Sequence, residues 1–473
     1  MSSASPVAVA AAIVAPGSAS VLSWRTILGW SVGTIGPVTL LYVVNYSFMF
    51  FMTDLLGVTA ALAGSLIFAV RIYDIFADPT MGMVSDRTVS RMGRRRPWML
   101  AGGFLSSAGC VGLFTVPAAV TAGGTVVVSA WTLGALILYF TGYTMFNVPY
   151  MAMPAEMTED YHQRTRLMGA RVLFVALAGL LGVSVGPLLI EYFGKNRAAY
   201  SWTAILMAVV SLAAMILCVS ATAGARATQR TVMRLPLGKQ LSLAFTNKPF
   251  AKLILAKFLL LLAMSSTTTS MFYFATHVLH RELSTVSEFG LLQTIGMLSS
   301  LPLWLSLAKR FSKHHLFMTC CAANALVLLS WMLAGPAESI FLLLLRSFVI
   351  GCCSGGALLM GQALLPDTME YDFLRSGLRR EGAYSGAYSM VEKAGFAVGP
   401  LIIGVLLSAA GYTGAKTAAG GIAPATGSTS LAVYMGIAIV PAIASGLALL
   451  ALWGYGLTER MLKEMAVAAR VVP

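Results

Sequence analysis

LPDTMEYDF at residues 365–373 has a counterpart in MPAEMTEDY at residues 153–161, and the surroundings of the two stretches match as well. Each follows an apolar segment, reads as an acidic turn, and leads through an Arg-bearing loop into a second, glycine-rich apolar segment. That segment ends in Gly186-Pro187-Leu188-Leu189-Ile190 in one case and Gly399-Pro400-Leu401-Ile402-Ile403 in the other. Pro154 to Pro187 is 33 residues and Pro366 to Pro400 is 34. A weaker echo links the basic run Arg87 to Arg96 with Lys309, Arg310 and Lys313. The chain therefore reads as two similar halves, and internal repeats around a central cavity are the mark of a secondary transporter that rocks one half against the other.

Composition says what the halves are made of. Of 473 residues, 58% are hydrophobic and only 11% charged, against about a quarter charged in soluble chains. Twelve apolar segments are each long enough to cross a hydrocarbon layer about 30 Å thick. They run over 26–52, 61–84, 98–118, 124–152, 167–191, 200–222, 250–277, 285–308, 315–335, 339–365, 384–410 and 431–457. The expected fold is an all-α integral membrane protein, twelve transmembrane helices in two pseudo-symmetric six-helix bundles. The bundles are residues 23–223 and 250–458, joined by a basic linker over 224–249, with a tail over 459–473. Residues 1–22 hold no Lys or Arg; a signal peptide needs a positive start, so they read as a disordered tail.

The net charge of +14 does not point to nucleic acid, because the Lys and Arg residues gather in alternate loops. They follow segments 2, 4, 6, 8 and 10 and return in the tail, whereas the other loops hold only Lys195, Arg197, Arg281 and Lys416. By the positive-inside rule both termini are cytoplasmic. A multi-pass protein of the bacterial inner (plasma) membrane, monomeric, with the lipid bilayer as its surroundings, is the expectation. The six cysteines all fall inside apolar segments and read as small core residues, not disulfides or metal ligands.

One segment carries charge where composition forbids it. In RIYDIFADPTMGMVSDRTVSRMGRRRP, residues 71–97, Arg71, Asp74 and Asp78 fall at i, i+3 and i+7 and share one helix face. A carboxylate near a bilayer's middle costs about 2.5 to 3.5 kcal/mol even on the most lenient insertion scale. Two readings stand: a structural Arg71–Asp74 ion pair that locks neighbouring helices, or a coupling-ion site. Asp78, left over beside a paired carboxylate, favours a site that holds a proton or a small cation.

Further polar residues lie at depth: Tyr143, Thr144 and Asn147 in segment 4, Arg171 in segment 5, Gln362 in segment 10 and Lys393 in segment 11. Arg171 and Lys393, 16 and 7 residues before the Pro of their repeats, are the natural countercharges for Asp74 and Asp78. Arg171, near a segment start, equally suits snorkelling to the surface. With Asn45 in segment 1, the residues Tyr143, Asn147, Arg171, Gln362 and Lys393 are the candidates for binding substrate. Asp86, Arg87, Glu156, Arg164, Asp367, Glu370, Asp372 and Arg380 read either as an inner gate of salt bridges or as a solvated basic surface. An enzyme finds little support: the five histidines form no metal-ligand pattern, there is no phosphate-binding G-x-x-x-x-G-K-[ST] loop, and no cofactor is implied. Energy must come from an ion gradient.

Several motifs together resemble a family. RIYDIFADPTMG (71–82), RMGRRRPW (91–98), FNVPYMAM with AEMTED (146–160), and LPDTMEYD (365–372) with RREGAYSGAYSMVEKAG (379–395) are similar to the glycoside-pentoside-hexuronide cation symporters of the major facilitator superfamily. The resemblance runs from segment 1 to segment 12. It implies that Asp74 and Asp78 bind the coupling cation with Thr144 and Lys393, and that Arg171 contributes to a sugar site. It also exposes departures: Pro37 and Val38 replace a Lys-Asp pair, Asn147 an aspartate, Met151 and Leu358 two tryptophans, and Ala77 a frequent asparagine. Sugars are held by carboxylates and aromatic platforms, so the losses turn the expectation away from a neutral galactoside. They favour a uronide or related organic acid, with an apolar or lysolipid-like cargo as the alternative. Losing the amide oxygen at position 77 weakens the case for Na⁺ and leaves H⁺ as the expected coupling ion.

Overall fold

The computed structural model describes residues 22–158, 161–224, 246–376, 381–412, 414, 427–458, 461–462, 464–465 and 467; the side chains of Ala155, Tyr161, His162, Arg164, Thr165, Ser376 and residues 381–383 are not described. The expected disordered tail (1–22, of which only Leu22 is described), most of the linker and most of the C-terminal tail lie outside these residues. All regular structure among them is helical. In a hydrocarbon layer each backbone N–H and C=O must be satisfied within the chain, and a helix does this segment by segment.

Among the described residues, twelve helices are long and apolar enough to cross a membrane: α1 (Trp24–Phe48), α2 (Ala60–Arg87), α3 (Arg96–Phe114), α4 (Gly124–Pro154), α5 (Arg166–Tyr192), α6 (Arg197–Ala221), α7 (Lys248–Val278), α8 (Leu283–Ala308), α9 (Lys313–Leu333), α10 (Ile340–Arg375), α11 (Tyr384–Ala409) and α12 (Gly427–Ala451). Each matches one expected segment. Local sequence fixes several starts: Ser23 caps α1 by accepting from the Thr26 N–H at 3.2 Å, Asn196 caps α6 through Ala199 at 2.9 Å, and Asn247 caps α7 through Phe250 at 3.1 Å.

Three sequence expectations need correction. The two acidic stretches are not turns: helix continues past α4 to Met157 and α10 runs on through Pro366 to Ser376. A proline here removes one backbone hydrogen bond without ending the helix. The last segment is shifted toward its start, since α12 gives way to a turn with Gly454 at φ 62°, a conformation glycine adopts freely. The seventh helix begins at Lys248, two residues before the expected start at Phe250.

The halves, α1–α6 and α7–α12, meet most closely where α2 crosses α11. A methyl group at Gly64 would sit 2.4 Å from the Pro400 carbonyl oxygen, and one at Gly404 would sit 2.4 Å from that of Ala60. Glycine at both positions lets the two backbones touch. The Ala61 N–H donates to Ser408 Oγ at 2.8 Å in the same crossing. Beside it α5 meets α8, where Gly290 lies against Val183 and the Ser284 N–H donates to Glu191 Oε2 at 2.5 Å. These contacts seal the molecule at the end bearing the loops that are poor in Lys and Arg.

Candidate functional site

Between the halves lies a cavity of about 430 Å³ lined from both sides, by Tyr42, Tyr46, Arg71, Asp74, Asp78, Tyr143 and Asn147 of the first half and by Lys257, Gln293, Asn324, Ser354, Glu392 and Lys393 of the second, among others. Leucine, methionine and phenylalanine side chains such as Leu41, Leu260, Met264, Met297, Leu358 and Phe396 make up much of the remaining wall.

Four of the expected residues converge. Lys393 Nζ lies 2.7 Å from Asp78 Oδ2 and 2.8 Å from Asp74 Oδ2. Its contact with Asp74 Oδ2 is a charge contact only, for that oxygen accepts no hydrogen bond; Lys393 instead donates to the Asp74 backbone carbonyl at 3.2 Å. On the other side of the carboxylates, Thr144 Oγ1 stands 2.7 Å from Asp74 Oδ1 and 2.9 Å from Asp78 Oδ1. The Asp74 side chain is 1% exposed, that of Lys393 14% and that of Asp78 26%. The deeper carboxylate is thus shut in, and the shallower one faces the cavity. A charge so desolvated persists only when paired and hydrogen-bonded, which the lysine ammonium and the threonine hydroxyl together accomplish.

Arg71 does not make the ion pair with Asp74. Its Nη2 donates to Asn45 Oδ1 at 2.5 Å and its guanidinium lies 4.5 Å from the centre of the Phe140 ring. The structural reading of this helix face therefore fails: Arg71 is held by an amide and an aromatic face, leaving both aspartates to Lys393. Asn45 meets the cavity only through Arg71. Arg171 is half-buried and absent from the cavity wall, with its Nε buried and without an acceptor; it is not a countercharge for the aspartates. Gln362 is exposed and likewise off the wall, because it lies one turn beyond Leu358, where the part of α10 that lines the cavity ends.

The expected gate charges sit in the last turns of α2 and α10 and just past α4. Arg95 Nε donates to Glu156 at 2.6 Å, Arg94 also donates to Glu156, and Arg95 bridges to Asp86 at 3.3 Å. Lys313 holds both oxygens of Asp367 at 2.9 and 2.7 Å. These pairs run within a half. Arg87 and Glu370 are exposed and Asp372 is half-buried; the side chain of Arg164, and Arg380 altogether, lie outside the described residues.

Two groups escaped the sequence reading. Lys257, 4% exposed, pairs with Glu392 at 3.1 Å and stands 5.3 Å from the Tyr388 ring centre. The signal was present: a lysine within KLILAKFLLLLAM is as misplaced in oil as Lys393. The second group is a polar knot across the halves at the sealed end. Tyr412 donates to Asp54 Oδ1 at 2.7 Å, His277 Nε2 lies 3.2 Å from that same oxygen and 2.9 Å from the Tyr412 hydroxyl, and Thr53 meets Asp54 Oδ2 at 2.7 Å and the Tyr273 hydroxyl at 2.8 Å. Burial, and then the charge of Asp54, hold the Tyr412 phenol well above its ordinary pKa, so it remains a donor. With that one hydrogen given to Asp54, the network assigns a hydrogen to His277 Nε2. Asp54 falls at the edge of an apolar segment and Tyr412 in a loop, where neither stands out in a sequence.

Comparison with known proteins agrees with this architecture. The family described as MFS/sugar transport protein matches residues 29–459. The chain is 27% identical over 458 residues to the glucuronide carrier protein homolog of Escherichia coli (strain K12), covering 94% of this chain and 95% of that one. It is 27% identical over 380 residues to the isoprimeverose transporter of Lactiplantibacillus pentosus, covering 78% and 77%. It is 28% identical over 404 residues to the putative glycoside/cation symporter YagG of Escherichia coli (strain K12), covering 84% and 85%. Among solved structures, that of the nucleoside transporter NupG (D323A mutant) superposes with a TM-score of 0.65 at 14% identity, over 91% of this chain and 99% of that one; this is likeness of fold. The chain belongs to the MFS/sugar transport protein family and, within it, to the glycoside-pentoside-hexuronide cation symporters: it is a multi-pass secondary transporter of the inner membrane.

Proposed function

We propose that this protein is a proton-coupled symporter of a small anionic glycoside, a uronide or related organic acid, working by alternating access with both termini cytoplasmic. The observation that carries the reading is the cluster of Asp74, Asp78, Thr144 and Lys393. A hydroxyl has one hydrogen, yet Thr144 Oγ1 is within hydrogen-bond distance of both carboxylates. Both contacts are full hydrogen bonds only when one carboxyl is protonated and donates back. Lys393 Nζ already stands between the two Oδ2 atoms, where Na⁺ would need several oxygens at once; a proton needs one.

In this reading a proton on the carboxylate pair lowers the cost of carrying the site through an occluded state, and that cost couples solute to ion. The conformer described here faces the side of the basic loops. Arg71, Asn147, Tyr143 and Lys393 are the proposed polar end of the substrate site, and the two bundles, divided at the linker, are the proposed rocking units. An amphipathic, lysolipid-like cargo is the second reading, favoured by the aliphatic part of the cavity wall.

The test is uptake of labelled methyl β-D-glucuronide into proteoliposomes driven by a pH gradient or by a sodium gradient alone. Uptake on the pH gradient without sodium supports the reading. Uptake on sodium alone contradicts the choice of ion, and uptake of a lysolipid but no glycoside contradicts the choice of cargo.

A further inference from the structure

Among the described residues, six charged side chains line the cavity: Arg71, Lys257 and Lys393 against Asp74, Asp78 and Glu392. They balance when the cavity is empty, and a coupling proton leaves one positive charge in excess. A solute carrying one negative charge restores neutrality, which matters where each uncompensated charge is costly. The question is which cation meets it. Lys393 is held by the two aspartates and Arg71 by Asn45 and Phe140.

Lys257 is different. Its ammonium is buried, with a side chain 5% exposed, while its partner Glu392 is 36% exposed. The pair is lopsided: a deep cation covered by a carboxylate at the cavity surface, free to turn outward. Tyr388, one helical turn before Glu392, leaves its ring near the ammonium, a platform that also suits a pyranose face. On the facing α9, Asn324 Oδ1 is buried without a donor while its amide nitrogen donates to Ser445 Oγ at 3.0 Å; an unclaimed acceptor in the wall of a cavity fits a sugar hydroxyl.

We propose that Lys257 is the specificity-determining residue for the solute's carboxylate, and that Glu392 holds its place in the empty cavity and is displaced when the solute binds. The inference rests on the symport reading above, and it adds the residue that selects the anion.

The experiment compares methyl β-D-glucuronide with methyl β-D-glucoside, which differ only in carboxylate against hydroxymethyl, in proteoliposomes of the full-length protein. Wild type is expected to favour the glucuronide at least tenfold. Lys257→Met is expected to bring that ratio close to one, and Glu392→Gln to raise it by removing the competing carboxylate. Stranding Glu392 in Lys257→Met is itself a defect, so the double variant Lys257→Met with Glu392→Gln decides the role. If Lys257 reads the solute, the double variant still lacks the preference; if the pair is only structural, removing both partners restores it and overturns the proposal. A lowered ratio in Glu392→Gln also overturns it. Wild type that carries both glycosides equally overturns this inference alone, and wild type that carries neither overturns the symport reading with it.

Discussion

Thr144 has one hydrogen to give and two carboxylates within reach. Replacing it by valine removes a hydrogen bond to a charged group, worth about 1.5 to 3 kcal/mol, so Thr144→Val is expected to weaken the coupling ion's effect on solute affinity by about tenfold to a hundredfold. Thr144→Ser keeps the hydroxyl and is expected to behave within a few-fold of wild type; solute binding measured across a pH series reads both. Lys393 answers to a harsher rule, since Lys393→Met leaves two buried carboxylates sharing a space of a few ångströms. The expected outcome is loss of gradient-driven accumulation together with a lower melting temperature, by an amount in keeping with about 3 to 5 kcal/mol for an unpaired buried charge. Lys393→Arg, which keeps the charge, is expected to recover stability and not coupling, because a guanidinium fork is too wide for the place of an ammonium.

At the scale of elements, the crossing of α2 and α11 sets how closely Lys393 can approach Asp74 and Asp78. Gly404→Leu puts side-chain atoms where the Ala60 carbonyl already stands 2.4 Å from the first added carbon. It is expected to push the helices apart, at about 1 to 3 kcal/mol, and to slow transport while leaving expression intact; thermal unfolding and initial uptake rates check the two parts. This crossing explains what could be read from the sequence. Asp74, Asp78 and Lys393 were legible because charge in an apolar segment needs a partner. Which cation serves which carboxylate was not, because position along the crossing helices decides it: Arg171, one turn before Val175, falls off the cavity wall, as does Gln362, one turn past Leu358. Lys257 carried the same signal and went unread for lack of an acidic neighbour in its own segment; its partner Glu392 comes from four helices away.

For the whole molecule, the twelve segments and their division into halves followed from composition and from the repeated acidic stretch, since length and apolarity alone dictate membrane helices. The seal between the halves did not, because it is built from residues far apart in sequence that meet only when the bundles close. Asp54, His277 and Tyr412 join the stretch after α1, α7 and the segment after α11 in that seal. Asp54→Asn is expected to loosen it and favour the opposite-facing state. Cys353, a natural thiol on the cavity wall, reports this in a variant where it is the single cysteine: its reaction with an impermeant thiol reagent from the extracellular side is expected to quicken several-fold over the same variant with Asp54 intact. An unchanged rate would show that the knot does not hold the seal.

The account turns on one claim, that the carboxylates bridged by Lys393 hold the coupling ion. The direct measurement is the transient current from proteoliposomes on rapid addition of methyl β-D-glucoside, without sodium and then with it, for wild type and for Asp78→Asn. A neutral solute carries no charge of its own, so any current reports the ion that moves with it. The account predicts a current in wild type without sodium and none in Asp78→Asn, whose folding is verified by thermal unfolding. A wild-type current that persists at full size in Asp78→Asn would contradict it.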